Sequence, residues 1–216
     1  MNDLNLVMIA VIAANVLVSI KGFNDLSFFE RYKFHIRAIK KGEKLRMFTS
    51  GFLHVDFTHL LFNMLTFYFF APVVMFHFSN VQFLVIYLGS LLAGNLLSFQ
   101  FHRNEDEYSA VGASGAVTGV IYSAILLNPG MSLYFFFIPI PIPAYLFGIG
   151  YLLYSIYGMK NRVGNIGHTA HFGGAVGGYV LTLAFYPGLA VQDPLMTGLL
   201  ALPIVLLYIL GRTGKI

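Results

Sequence analysis

The 216-residue chain contains no cysteine and no tryptophan, and only 10% of its residues are charged. Without cysteine there is no disulfide, no thiolate metal ligand and no cysteine nucleophile. Without tryptophan, anchoring at a membrane–water interface falls to the 13 tyrosines and to lysine and arginine. The charge deficit excludes an ordinary soluble domain, in which about a quarter of residues are charged. Strict apolar alternation is also missing, which excludes a transmembrane barrel.

What is present is apolar length. Hydrophobic residues make up 57% of the chain, and mean hydropathy is +0.75. A helical span needs about 20 apolar residues. Seven segments qualify or come close, at 4–20, 57–76, 81–101, 112–128, 143–159, 168–186 and, the shortest, 195–210. In lipid the backbone must satisfy itself, so these are expected as helices. The first segment has no basic region before it and reads as a retained span, not a signal peptide. The expectation is an all-α polytopic membrane protein, one membrane-embedded domain over 1–216. Its core lies at about 45–187, with a seventh helix at about 195–210.

The connections carry the charge. Between 21 and 56 lie Lys21, Arg31, Lys33, Arg37, Lys40, Lys41, Lys44 and Arg46, interleaved with Phe28, Phe29, Tyr32 and Phe34. This pattern reads as an interfacial segment lying on lipid headgroups, and a membrane surface suits it better than nucleic acid. The stretch 135–143 has prolines at alternate positions, so it is expected to be extended and to lead into the fifth helix.

Three segments hold residues that are out of place in lipid. The fourth opens with Gly112-Ala113-Ser114-Gly115 and continues to Gly119, small residues around a serine at a helix mouth. A helix N-terminus offers unpaired N–H groups to a developing oxyanion. The same spacing also suits plain small-xxx-small packing. The sixth segment carries His168 and His171, with Gly174 and Gly178 three and seven positions beyond His171 on one helix face. That glycine face suits the Gly115/Gly119 face, which would bring His171 to Ser114, a base to a weak nucleophile. His168 is expected to face headgroups. The second segment supplies His54, His59 and Asn63, the last two on one face. They are either hydrogen-bond donors to an oxyanion or polar glue between helices.

Taken together, Arg46, the His54…His59…Asn63 pattern, Gly112-Ala113-Ser114-Gly115, and Ala170-His171 with Gly174 and Gly178 resemble the rhomboid family of intramembrane serine proteases. The resemblance covers about 45–186. It implies Ser114 as nucleophile and His171 as general base. It implies an oxyanion hole of His59, Asn63 and the Ser114 N–H, with His54 lining the cavity. Arg46 would be the arginine of a structural Trp-Arg pair whose tryptophan is Leu45 here. Gly112, Gly115, Gly119, Gly174 and Gly178 would be structural positions. The implied substrates are transmembrane proteins in a lipid bilayer, reached past a mobile fifth helix. No metal, organic cofactor or nucleic acid is expected, and the implied location is the inner cell membrane. A rhomboid-like pseudoprotease that binds membrane clients, or a transporter or channel, are the alternatives.

Two features depart from that pattern. Many family members carry an aromatic residue one turn after the serine, packed on the histidine. Here Thr118 stands there, and Tyr122 lies about 12 Å along the helix from Ser114. On sequence alone nothing obvious orients His171. All Lys and Arg also fall on loops of one side, the side of the Ser114 mouth. The positive-inside rule would make that side cytoplasmic, whereas the family pattern, followed here, makes it the outer face.

Overall fold

The computed structural model describes residues 5–135, 138–164 and 166–215. The first helix, α1 (Leu6–Asn24), is capped by Asn5, whose side chain accepts from Val7 N–H. Next comes a folded stretch of short elements: α2 (Leu26–Tyr32), β1 (Phe34–His35), α3 (Ile36–Lys40), α4 (Arg46–Thr49) and a 3-10 turn at Ser50–Phe52. Long helices α5 (Phe57–His77) and α6 (Asn80–Phe101) follow. Asp56 caps the first of these, and a Ser79–Gln82 capping box caps the second. Strand β2 (Ser109–Ala110) precedes α7 (Ser114–Leu127). A hairpin of β3 (Ser132–Phe135) and β4 (Ile138–Pro143) leads into α8 (Ala144–Asn161). The chain closes with α9 (His168–Phe185), α10 (Leu189–Gln192) and α11 (Pro194–Arg212).

This is an integral multi-pass membrane protein of all-α class. Helices α1, α5, α6 and α11 are long and apolar enough to cross a membrane on their own. Helix α7 is apolar but shorter, at 14 residues. Each of the seven apolar segments falls on a helix within a few residues of its expected limits. The 135–143 stretch is extended as expected, although its residues 136 and 137 lie outside the described residues.

The basic segment between α1 and α5, expected to lie on headgroups, is folded in its own right. It is a compact cap with its own small core of Phe34, Ile36, Ile39 and Met47. Strand β1 pairs antiparallel with β2, Phe34 opposite Ala110 and His35 opposite Ser109. The cap is thereby pinned to the chain that enters α7. Arg46 ties it further. Its Nη1 donates to the Glu30 and Lys33 carbonyls at 2.8 and 2.9 Å, and its Nε to the Glu43 carboxylate at 2.8 Å. One guanidinium thus satisfies two carbonyls at the C-terminal end of α2, and Thr49 Oγ1 donates to a third, that of Tyr32, at 2.8 Å.

The centre of the bundle is α6, α7 and α9. A methyl group added at Gly174 would strike the Gly115 backbone, and one at Gly178 the Gly119 backbone. One at Gly119 would strike Ser90 of α6. Glycine at these positions lets backbone meet backbone, the closest approach two helices achieve in a membrane. Two hydroxyl pairs lie in the same seams. Thr182 donates to Ser123 Oγ at 2.6 Å, and Ser98 and Thr169 share a 2.8 Å hydrogen bond.

Candidate active site

The packing just described decides where the reactive groups go. Gly115 lies against the backbone of Ala170, and a Cβ there would be 3.2 Å from the Ala170 carbonyl oxygen. The residues beside that contact are Ser114 on α7 and His171 on α9. Both line one cavity of about 1250 Å³. Its walls include His59 and Asn63 from α5, Asn95 from α6, and Phe147 and Tyr151 from α8.

Helix α7 begins at Ser114 with no side-chain cap. The N–H groups of its first turn therefore have no partner within the helix. Gly112, just before it, has φ +132°, a conformation that disfavours any side chain. A Cβ there would also lie 2.7 Å from the His59 ring. The glycine thus allows both the turn into α7 and the approach of His59 to the serine. His59 Nδ1 is buried without a hydrogen-bond partner among the described residues. Asn63 uses one amide N–H on the His59 carbonyl, at 2.9 Å, which leaves its second N–H free for the cavity.

His54 departs from expectation. It is absent from the cavity wall and fully buried behind it. Its Nε2 accepts from the Ala113 N–H at 3.3 Å, and its Nδ1 lies 2.8 Å from Ser19 Oγ. A neutral ring that accepts at Nε2 carries its proton on Nδ1. The proton then points to Ser19, whose own hydroxyl donates to the Phe52 carbonyl at 3.0 Å. His54 thus anchors the residue that precedes Ser114, joining it to α1. It also touches the His59 ring edge-on at 4.9 Å.

His168 also departs from expectation. It is buried, not facing headgroups, and its Nε2 lies 3.1 Å from the Val163 carbonyl. The reason is Gly158 of α8, whose missing side chain leaves the slot the ring fills. His171 in turn has a partner that the sequence did not suggest. The Tyr151 hydroxyl of α8 lies 2.6 Å from His171 Nδ1, with the two rings stacked at 25°. A signal for Tyr151 did exist. Phe147, Tyr151 and Tyr154 recur at helical spacing on one face of α8, and all three line the cavity.

A rhomboid domain profile matches residues 41–188, from the cap to just beyond α9. The chain belongs to the rhomboid family. Its relatives in that family include the RHOMBOID-like protein 12, mitochondrial, of Arabidopsis thaliana. It is 30% identical to this chain over 191 residues, 81% of this chain and 56% of that protein. The putative rhomboid protease YdcA of Bacillus subtilis (strain 168) is 38% identical over 82 residues, 38% of this chain and 40% of its own. The rhomboid protease GluP of the same organism is 30% identical over 148 residues, 68% of this chain and 27% of its own. This rhomboid-family chain therefore spans about half, or less, of the length of these relatives. Helices α1 and α11 lie largely or wholly outside the matched domain.

Proposed function

We propose that this protein is an intramembrane serine endopeptidase that cuts other membrane proteins in or near their transmembrane segments. The observation that carries the proposal is the meeting of Ser114 and His171 in one cavity, beside a glycine contact that fixes the two helix backbones. In this reading His171 takes the Ser114 proton as the oxygen attacks the scissile carbonyl. The Ser114 N–H, His59 and Asn63 stabilise the oxyanion, each donor of this kind being worth roughly 3 kcal/mol in hydrolases. The tetrahedral intermediate collapses, His171 protonates the leaving amine, and an acyl-enzyme remains. Water then attacks that ester with His171 again as base, releasing the second product and restoring Ser114.

Depth and access fit the reading. Helix α7 is about 21 Å long at 1.5 Å per residue, against a hydrocarbon core of about 30 Å. If its far end reaches the opposite interface, Ser114 sits below the membrane surface, and the cavity is its route to water. The cavity lies between α5 and α8, which do not pack on one another extensively. A substrate helix would reach the serine laterally between them, with α8 and its proline-rich hairpin as the moving side. The same reading places the protein in the inner cell membrane, as one domain, with the mouth outward. A reporter fused within 103–107 that reads as cytoplasmic would reverse that orientation.

The test is cleavage of a single-span membrane substrate in proteoliposomes. Wild type is expected to cut it, and Ser114→Ala to lose all turnover. Cleavage by both would sink the assignment of the nucleophile. Ion flux that is indifferent to Ser114→Ala would favour a channel.

A further inference from the structure

We propose that Tyr151 of α8 is a positioning residue that holds His171 in the tautomer able to act as a base toward Ser114. The inference rests on the Ser114–His171 reading above. It starts from a carbonyl. The Thr118 hydroxyl lies 2.7 Å from the backbone oxygen of Ser114. A carbonyl oxygen only accepts, so Thr118 must donate. Its oxygen keeps lone pairs free to accept. Tyr151 lines the same cavity as Thr118. If His171 is the base toward Ser114, Nδ1 is taken by Tyr151 and only Nε2 remains for the serine, so in the proposal the Tyr151 proton turns away from His171, with the Thr118 oxygen as its acceptor. The Tyr151 oxygen then presents a lone pair to His171 Nδ1, 2.6 Å away. That nitrogen must carry the hydrogen. A neutral imidazole has one N–H, so His171 Nε2 is left with its lone pair free.

The opposite arrangement would disable the site. If the Tyr151 hydroxyl donated to Nδ1, the hydrogen would sit on Nε2, and neither nitrogen could take a proton from serine. A wrong histidine tautomer is severe in serine hydrolases generally, where it lowers kcat about 10⁴-fold. The Ser114 carbonyl fixes the direction of the Thr118 hydroxyl, and the proposal extends that direction through Tyr151 to His171. The same chain gives Thr118 a purpose. A small hydroxyl residue one turn after the serine leaves room for the Tyr151 ring to stack on His171 from α8. It also supplies the acceptor that orients that ring's hydroxyl.

The experiment compares wild type, Ser114→Ala, Tyr151→Phe and Thr118→Val in proteoliposomes. Its readouts are kcat and KM on one single-span substrate, the rate of Ser114 labelling by a fluorophosphonate, and the ¹⁵N shifts of His171. Tyr151→Phe keeps the stacked ring and removes the oxygen. It is expected to lower kcat and the labelling rate about 10- to 100-fold, the size seen when a metal-bound histidine loses its orienting partner. KM and melting temperature should stay as in wild type. The ¹⁵N spectrum should move from Nδ1–H toward a mixture of tautomers. Thr118→Val should shift the same readouts in the same direction by less. If Tyr151→Phe keeps kcat within two-fold and the Nδ1–H signature intact while Ser114→Ala is dead, the positioning role is wrong and the dyad stands. If Tyr151→Phe lowers the melting temperature and raises KM without moving the tautomer, Tyr151 is a packing residue only. If Ser114→Ala still cuts, the dyad reading itself has failed.

Discussion

The two sides of the cavity are built differently. On one side, α7 and α9 meet through glycine, backbone on backbone, and α6 joins them with only a few short side chains such as Ser90 in the seam. On the other, α8 meets its neighbours mostly through side chains. Leu152 and Ile156 are buried in a cluster with Phe172 of α9 and Leu200 of α11. Some glycines of this flank, Gly150 on α8 and Gly198 on α11, would have nothing within 4 Å of an added methyl. A backbone seam has one solution, because close-packed interfaces tolerate little change in volume. A side-chain seam has several, because rotamers repack. Ser114 and His171 stand on the first kind of seam, and Tyr151 stands on the second. Distance between nucleophile and base is therefore set by the rigid side, and orientation of the base by the adjustable one.

The comparison breaks most visibly at the glycines. Gly174→Leu should destabilise by at least about 3 kcal/mol, the upper range for an overpacked core. Gly198→Leu should stay within about 0.5 kcal/mol of wild type, as surface substitutions do. Thermal unfolding in detergent measures both. Equal melting temperatures would show that the two seams are alike.

A smaller and more selective effect is expected from holding the adjustable side still. The chain has no native cysteine, so Phe62→Cys on α5 and Phe147→Cys on α8 provide a unique pair for a bifunctional maleimide. Crosslinking should reduce cleavage of a membrane substrate about 10-fold or more, by restricting access. It should leave fluorophosphonate labelling of Ser114 unchanged. Undiminished cleavage after complete crosslinking would count against α8 as the moving side.

The smallest effect belongs to the rim, where Lys40 of the cap bonds Asp106 beside β2 at 2.8 Å. The hydrogen bond from Lys40 holds the Asp106 carboxyl below the ordinary carboxylate range. A carboxyl held low in the folded protein contributes stability above its unfolded value, and that contribution is lost as pH falls through the folded one. The pair is exposed, so Asp106→Asn should change melting temperature barely detectably at neutral pH. As pH falls below the ordinary carboxylate range, the variant and wild type should converge. A large loss at neutral pH would mean that the cap depends on its rim and not on its buried core.

Much of this was legible in the residues themselves. Long apolar runs set the helices, because lipid leaves a backbone no other way to satisfy its polar groups. The 3.6-residue period put Gly174 and Gly178 on one face and Gly115 and Gly119 on another. Alternate prolines kept 138–143 out of any helix. The cap was not legible: strands of two residues, Phe34–His35 and Ser109–Ala110, pair across a long stretch of sequence and carry no periodic signal. Nor was the burial of His168, because the slot it fills is a missing side chain on a different helix.

The sequence by itself determined that the chain lives in a membrane, which segments form its long helices, and which serine and histidine stand out there. Only the tertiary structure decided what surrounds them. It turned His54 away from the cavity and toward the Ala113 N–H, and it brought Tyr151 to His171. Those contacts depend on how each helix is rotated about its axis and how deeply it sits. Packing of all the helices at once sets both quantities, and no local run of residues encodes them.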